Sequence, residues 1–482
     1  MVTQPRFQLV EVEKKYSVGK KFMKFPNGPQ TPAVVQMLRW VVNPMSFMEA
    51  CAKNYGEIFT LRLDKNLPPM VIVSNPQAQQ QILTNDTKEL EAPGDLNQLF
   101  DPLLGKHSVI TISGTEHQRQ RQLLMPPFHG ERMRNYSQVI TDVTKQVISQ
   151  YQIDKPFNIR SATQAITLRV IMQAVFGLYE GPRAEKLQNF LSDLLEKASS
   201  RLSVALLYFP ALQRDFGPIK VWGNQMRLQQ EADELIYEEI RERREQPDSS
   251  RTDILSLLMA ARDEAGQPMT DQELRDELMT LLVAGHETTA TALAWALYWI
   301  HKLPSVRQKL LQELDSLGDN PDPGTVFKLP YLNAVCSETL RIYPVAILTF
   351  PREVRTPISL GGYELEPGTV LLGSIYLTHQ REDIYPEPKQ FKPERFLERQ
   401  FSAYEYLPFG GGARRCIGLA FAQLEMKLAL AQILSSKELE LVNKGEVRPK
   451  RRGLVTGPDR PIEMVVRSQR QVKSPILQTT TV

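Results

Sequence analysis

The sequence predicts a mainly α chain with a small β portion near its N-terminus, and three observations predict it. Apolar residues recur at helical spacing through most of the 482 residues. Alternation of the β type is confined to short runs bounded by turn residues. No Gly- or Ser-rich linker separates two cores, and there are no internal repeats.

The elements follow in order. The stretch Phe25-Pro26-Asn27-Gly28-Pro29-Gln30-Thr31-Pro32 is dense in proline and reads as an irregular lead-in. Residues 58–63 and 69–73 form two β-type runs around a Lys-Asn turn, a hairpin. Asn75-Pro76 places a helix cap before a proline at the first helical position. Helical period then marks 115–125, 131–151, 160–178, 184–202, 222–245, 252–262, 271–303, 305–315 and 328–342, with 245–252 as a loop. Short strands fit 352–370, turned by Leu360-Gly361-Gly362-Tyr363, and strong helix formers run from Leu419 to Leu434. Residues 1–25 are a lead-in, 26–466 one domain, and 467–482 a polar, disordered tail.

Composition narrows the function classes. Hydrophobic content of 42% and charged content of 23% describe an ordinary globular chain. A net charge of +3 is too near balance to argue for nucleic acid. Cys51, Cys336 and Cys416 are odd in number and far apart, neither a disulfide framework nor a zinc site, which suits a reducing cytosol. No run of eighteen apolar residues occurs, and Met1 to Met23 is polar and lysine-bearing. The expectation is a cytoplasmic protein with no transmembrane anchor.

Residues 409–418 read Phe-Gly-Gly-Gly-Ala-Arg-Arg-Cys-Ile-Gly. Cys416 lies just ahead of a helix, where free N–H groups and the positive dipole end favour an anionic sulfur. A thiolate there is a metal ligand. A lone cysteine in such a turn is more often structural, but Phe409, Gly412, Arg414, Cys416 and Gly418 together match the haem-binding signature of the cytochrome P450 haem-thiolate monooxygenases. Five fixed positions recur by chance at roughly one in ten million per start site. The chain resembles this family from about residue 26 to 466, with the motifs in the same order.

The resemblance implies the P450 fold, with haem b (iron protoporphyrin IX) between an oxygen-binding helix and the cysteine-loop helix. Cys416 is then the axial ligand to iron. Ala284-Gly285-His286-Glu287-Thr288-Thr289 resembles the family's oxygen-binding motif. In that reading Gly285 leaves room for dioxygen and Glu287 with Thr288 relays protons, work a hydroxyl beside water can do. The competing reading is a packing glycine and threonines bonded back to i−4 carbonyls. His286 holds a variable place and reaches outward to solvent. Glu338 and Arg341, one helical turn apart, resemble the family's helix Glu-x-x-Arg, and Arg395 its downstream arginine; together they imply a buried structural triad.

Haem carries two carboxylates, so convergent cations are expected. By family position these are His117, Arg121, Arg352 and Arg414; Phe409 and Gly418 complete the cofactor loop, and His379 carries less weight. Ile112, Leu281, Ala284, Val345, Leu348 and Val455 line the substrate pocket by family position; by default each is plain core. The implied activity is hydroxylation of a small apolar substrate with dioxygen, a long-chain fatty acid first and terpenoids or steroids second. Electrons come from a separate ferredoxin-type donor and its reductase, for which Arg119, Arg414, Arg415 and Lys427 form a basic face. A haem-thiolate isomerase or dehydratase, a peroxygenase and a haem sensor remain open; the retained Glu287-Thr288 pair argues against each.

Overall fold

The computed structural model describes residues 25–64, 68–86, 88–130, 132–177, 181–198, 221–248, 250–442, 445–453 and 455–470. Contacts divide the chain into two compact units: residues 1–93, 347–386 and 402–415 in one, and 94–346, 387–401 and 416–482 in the other.

The smaller unit is built on a five-stranded sheet. Ile58–Leu61 pairs with Met70–Val73, the predicted hairpin, in register Ile58↔Val73. Met70–Val73 pairs in parallel with Val370–Gly373, which pairs with Arg352–Val354 and then Leu90–Glu91. Ile358–Leu360 and Tyr363–Leu365 form the second predicted hairpin, with Leu360 opposite Tyr363. Val71, Val73 and Leu371 of the sheet bury against Ile82 and Leu83 of the helix Pro76–Thr84, and Leu407 closes the cluster. That helix starts where expected: the Asn75 side chain accepts from Ala78 N at 3.0 Å, and Pro76 supplies a preset φ. Two helices here escape the periodicity, Ala33–Val42 and Pro44–Tyr55. The first follows directly on the proline-dense stretch 26–32.

The larger unit is helical. Asp271–Lys302 runs through it for 32 residues, 22 of them buried. Its start is a capping box: Thr270 Oγ1 accepts from Glu273 N at 3.1 Å, and Glu273 Oε2 accepts from Thr270 N at 2.7 Å. It packs along Ile159–Phe176 and touches Leu419–Ser436, which in turn packs on Arg132–Ser149. The remaining predicted helices form at Gly114–Leu124, Pro182–Ala198, Val221–Glu245, Ile254–Ala260, Pro304–Asp315 and Pro330–Ile342. None of the helices among the described residues is long and apolar enough to cross a membrane.

Two boundaries are corrected. Strand structure is not confined to the N-terminal portion: Lys437–Leu441, Glu463–Gln469 and Pro156–Asn158 form a sheet of the larger unit, and Pro449–Arg452 pairs with Val455–Pro458. The expected tail from 467 is partly strand, because Glu463–Gln469 pairs to its end with Lys437. Polar Arg467 and Arg470 are held there by Glu440 at 2.6 Å and by Asp315 at 2.6 Å. The rest of the expected tail, 471–482, and nearly all of the lead-in, 1–24, lie outside the described residues.

Candidate active site

Of the three cysteines only Cys416 is exposed. It precedes the helix Leu419–Ser436, whose N-cap is Gly418. Burial pushes the Cys51 thiol up to about 11 and the Cys336 thiol up to about 12, so both stay protonated. Among the described residues no three His, Cys, Asp or Glu side chains converge on a point. A metal at Cys416 would therefore take one protein sulfur and the rest of its ligands from a group that brings its own.

The loop before it belongs to the smaller unit and is braced there. Gly412 has φ +65°, and a Cβ on it would meet Asp86 Oδ2 at 2.0 Å and the Leu83 carbonyl at 2.6 Å. Glycine is needed because the loop lies against the end of Pro76–Thr84. Asp86 accepts from Ala413 N and forms an ion pair with Arg352. Arg352 is fully buried, and its five N–H groups all have acceptors: Asp86 twice, Phe350 O at 2.9 Å, Pro351 O at 3.3 Å and Gly411 O at 3.0 Å. Arg352 thereby ties the loop to Asp86. His379 Nε2 accepts from Leu407 N at 3.1 Å and its ring stacks on Tyr406, fixing the loop's entry. Phe409 is half-buried, and Arg414, buried, donates to Ala92 O at 2.7 Å.

In the larger unit, Asp271–Lys302 has one open lane. Ala284 is exposed, and Leu281 and Thr288 are half-buried, in a helix most of whose residues are buried. Spacing of three and then four residues puts them on a single face. Thr288 Oγ1 donates to Ala284 O at 2.5 Å, the back-bonding pattern, which leaves its lone pairs to accept from the lane. Three neighbours face Ile159–Phe176. A Cβ on Gly285 would meet Ile171 Cδ1 at 2.9 Å, so this glycine makes room for a packed helix. Glu287 is buried, ion-paired to Arg160 and accepting from Gln164 Nε2 at 3.0 Å; successive residues point about 100° apart, so it does not share the lane with Thr288. His286, expected outward, is 3% exposed and lies 2.8 Å from Thr167 Oγ1.

Burial holds the His286 imidazole down at about 4, against its usual 6.5. The unfolded chain binds a proton that the folded chain refuses between those values, so stability present above pH 6.5 is lost as pH falls towards 4. The loss is on the order of 3 kcal/mol. Urea midpoints across this range are expected to fall less steeply in His286→Gln than in the wild type; equal slopes would remove His286 from the account.

Glu338 and Arg341 are completely buried and Arg395 nearly so. Arg341 grips Glu338 with Nε at 2.6 Å and Nη2 at 2.8 Å; Arg395 Nε adds a bond at 3.2 Å and Lys392 N another at 2.8 Å. Three cationic or N–H partners thus converge on one carboxylate, joining Pro330–Ile342 to the segment 387–401. The basic face does not form: Arg119 is paired with Asp263 and Glu273, Arg414 is buried, and Lys427 is buried with its Nζ 4.0 Å over the Phe327 ring. Arg415 is exposed. His117 is buried and Arg121 half-buried on Gly114–Leu124; Ile112 and Val455 are buried, and Val345 and Leu348 half-buried. Asp86, Arg160 and Gln164 were invisible in sequence, since their partners lie 123 to 266 residues away.

Residues 26–465 match the family described as Cytochrome P450. The chain belongs to the cytochrome P450 family. A putative cytochrome P450 135B1 of Mycobacterium tuberculosis is 34% identical over 457 residues, covering 95% of this chain and 94% of the relative. A putative cytochrome P450 135A1 of the same species is 34% identical over 409 residues, 85% of this chain and 87% of the relative. Among solved structures, a retinoic acid bound cyanobacterial CYP120A1 superposes with a TM-score of 0.80 at 24% identity, over 92% of this chain and all of that one. The cytochrome P450DA heme domain gives 0.79 at 23%, over 93% and 98%. These two likenesses speak to the fold.

As a P450 the protein is a haem-thiolate monooxygenase, an oxidoreductase that binds haem b through a cysteine thiolate and uses dioxygen and a redox partner. Haem so bound supplies the activation of dioxygen that inserts one oxygen atom into a C–H bond. The residues present suit that group: one accessible thiol at a helix N-terminus, and an open apolar lane on a helix packed against the one that follows the thiol.

Proposed function

We propose that this P450 hydroxylates a long-chain fatty acid, with Cys416 as the haem ligand and a ferredoxin-type protein as electron donor. The observation that carries the reading is the open lane of Leu281, Ala284 and Thr288, which is apolar but for one hydroxyl. An extended acyl chain makes only dispersion contacts there and needs no buried charge to neutralise it. Val345, Leu348, Ile112 and Val455 extend the apolar lining by family position. His117, Arg121, Arg352 and Arg414 are retained as partners for the haem carboxylates, with Phe409 and Gly418 in the cofactor loop. A cytoplasmic location belongs to the same proposal. Terpenoid carboxylates, the class of the retinoic acid held by the cyanobacterial relative, are the second substrate set. Binding spectra over a panel of saturated fatty acids, terpenoids and steroids test the choice; a response to steroids alone overturns it.

Thr288 is the proposed proton organiser, accepting from water while its own proton stays on Ala284 O. Glu287 takes part only by leaving Arg160. In Thr288→Ala, NADPH consumption is expected to continue through a ferredoxin system while product per NADPH falls and peroxide rises. A proton-delivering group is worth about a hundred- to ten-thousand-fold in rate, so the loss is readily seen. Glu287→Gln is expected to lower the melting temperature as well, because Arg160 loses its counter-charge. Unchanged coupling in both variants would favour a peroxygenase or isomerase.

A further inference from the structure

We infer that the helix Ala33–Val42 is a docking surface for an anionic lipid bilayer. Eight large apolar side chains are exposed among the described residues, and four of them, Val34, Val35, Leu38 and Val42, lie on this one ten-residue helix. Their exposures are 68, 40, 52 and 66%. Offsets of one, four and eight residues from Val34 put them in a single stripe. The opposite side is already used: Gln36, Met37 and Trp40 are buried. Gln36 Nε2 donates to Pro29 O at 3.0 Å and Thr31 O at 2.8 Å, and its Oε1 accepts from Arg62 N at 2.9 Å. The inner face therefore fixes the helix, and the outer stripe is held rigid towards solvent. Scattered exposed apolar residues need no account, whereas four on one helix do.

Charge selects the occupant. Arg39 and Arg62 are exposed beside the stripe. The chain that leads into it, residues 1–24, carries Arg6, Lys14, Lys15, Lys20, Lys21 and Lys24 against Glu11 and Glu13. An apolar helix face together with a basic segment is the pair of signals that holds a protein on an anionic membrane surface. A second copy of the chain is disfavoured, because a symmetric contact would bring the same cations against each other. The inference is independent of which substrate the enzyme oxidises, although a lipid surface is where a long-chain substrate is met.

The test is cosedimentation of the haem-loaded full chain with vesicles of phosphatidylglycerol and phosphatidylcholine in equal parts, against phosphatidylcholine alone. The wild type is expected to pellet with the anionic vesicles and to be released by salt. The double variant Leu38→Asp/Val42→Asp is expected to partition roughly tenfold less or weaker, since it removes the apolar signal. Lys14→Gln/Lys15→Gln/Lys20→Gln/Lys21→Gln is expected to lose the preference for anionic lipid. Both variants should keep the thiolate haem spectrum, because the proposal assigns none of these residues to the haem site. A wild type that stays in the supernatant, or a Leu38→Asp/Val42→Asp protein that pellets as well as the wild type, overturns the inference. A wild-type dimer in sedimentation velocity that Leu38→Asp/Val42→Asp dissociates overturns it too, in favour of a second copy.

Discussion

Cys416→Ala is expected to abolish the thiolate-type Soret band of the reduced carbonyl complex, while Cys51→Ala and Cys336→Ala keep it. The asymmetry follows from where the three thiols sit. Cys51 and Cys336 are buried, and burial pushes both thiols up to about 11 and about 12; a protonated thiol neither ligates nor donates charge to a metal. Cys416 is exposed just before Leu419–Ser436, where unsatisfied N–H groups and the helix dipole favour sulfur as an anion. Loss of the band in Cys51→Ala with retention in Cys416→Ala would falsify the assignment. Haem staining alone is too weak a readout, since haem held by other contacts would still colour the protein.

The second large effect is expected at Arg341. Glu338 has no exposure at all, and Arg341 supplies two of the bonds that hold its carboxylate. Arg341→Ala removes the two-point cationic grip on that charge in a dry site and leaves it only the longer Arg395 contact and Lys392 N, at a cost of about 3–5 kcal/mol. Against a typical domain stability of about 5–15 kcal/mol this removes much of the folded, haem-loaded population. The yield of haem protein should drop sharply, and Glu338→Ala should do the same by stranding Arg341. The measurement is haem content per purified chain together with the melting temperature. A variant with normal haem content and normal melting that lost only turnover would make the triad catalytic and not structural. Lys392 N and Arg395 Nε keep two bonds to Glu338 in Arg341→Ala, so Arg395→Ala, which leaves the two-point grip of Arg341 intact, is expected to be milder.

Helix positions were legible because their signals are local. Nine helical spans read from periodicity form within a few residues of their expected limits among the described residues, and both predicted hairpins pair. Ala33–Val42 was missed because it follows directly on the proline-dense stretch 26–32, which reads as irregular chain. The end of Glu463–Gln469 was missed because its last residues are polar and gain their strand from pairing with Lys437–Leu441.

For the site, the sequence by itself determined which residue types occur and in what order: the glycine-rich loop with Cys416, the Glu338/Arg341 pair one turn apart, and the alcohol of Thr288 within a long helix. Those follow from spacing along one element, where a few residues suffice. Direction was decided only by tertiary structure. Glu287 and Thr288 are neighbours in sequence, yet one is sealed by Arg160 from a helix more than a hundred residues earlier and the other faces the open lane. Arg352 reads as a ligand of carboxylates, and the fold brings it Asp86, a partner 266 residues away that no local pattern marks. A buried charge takes whichever partner the fold brings within reach, because leaving it unpaired costs more than any contact outside can return. That choice depends on chain segments far apart in sequence, and no local pattern carries it.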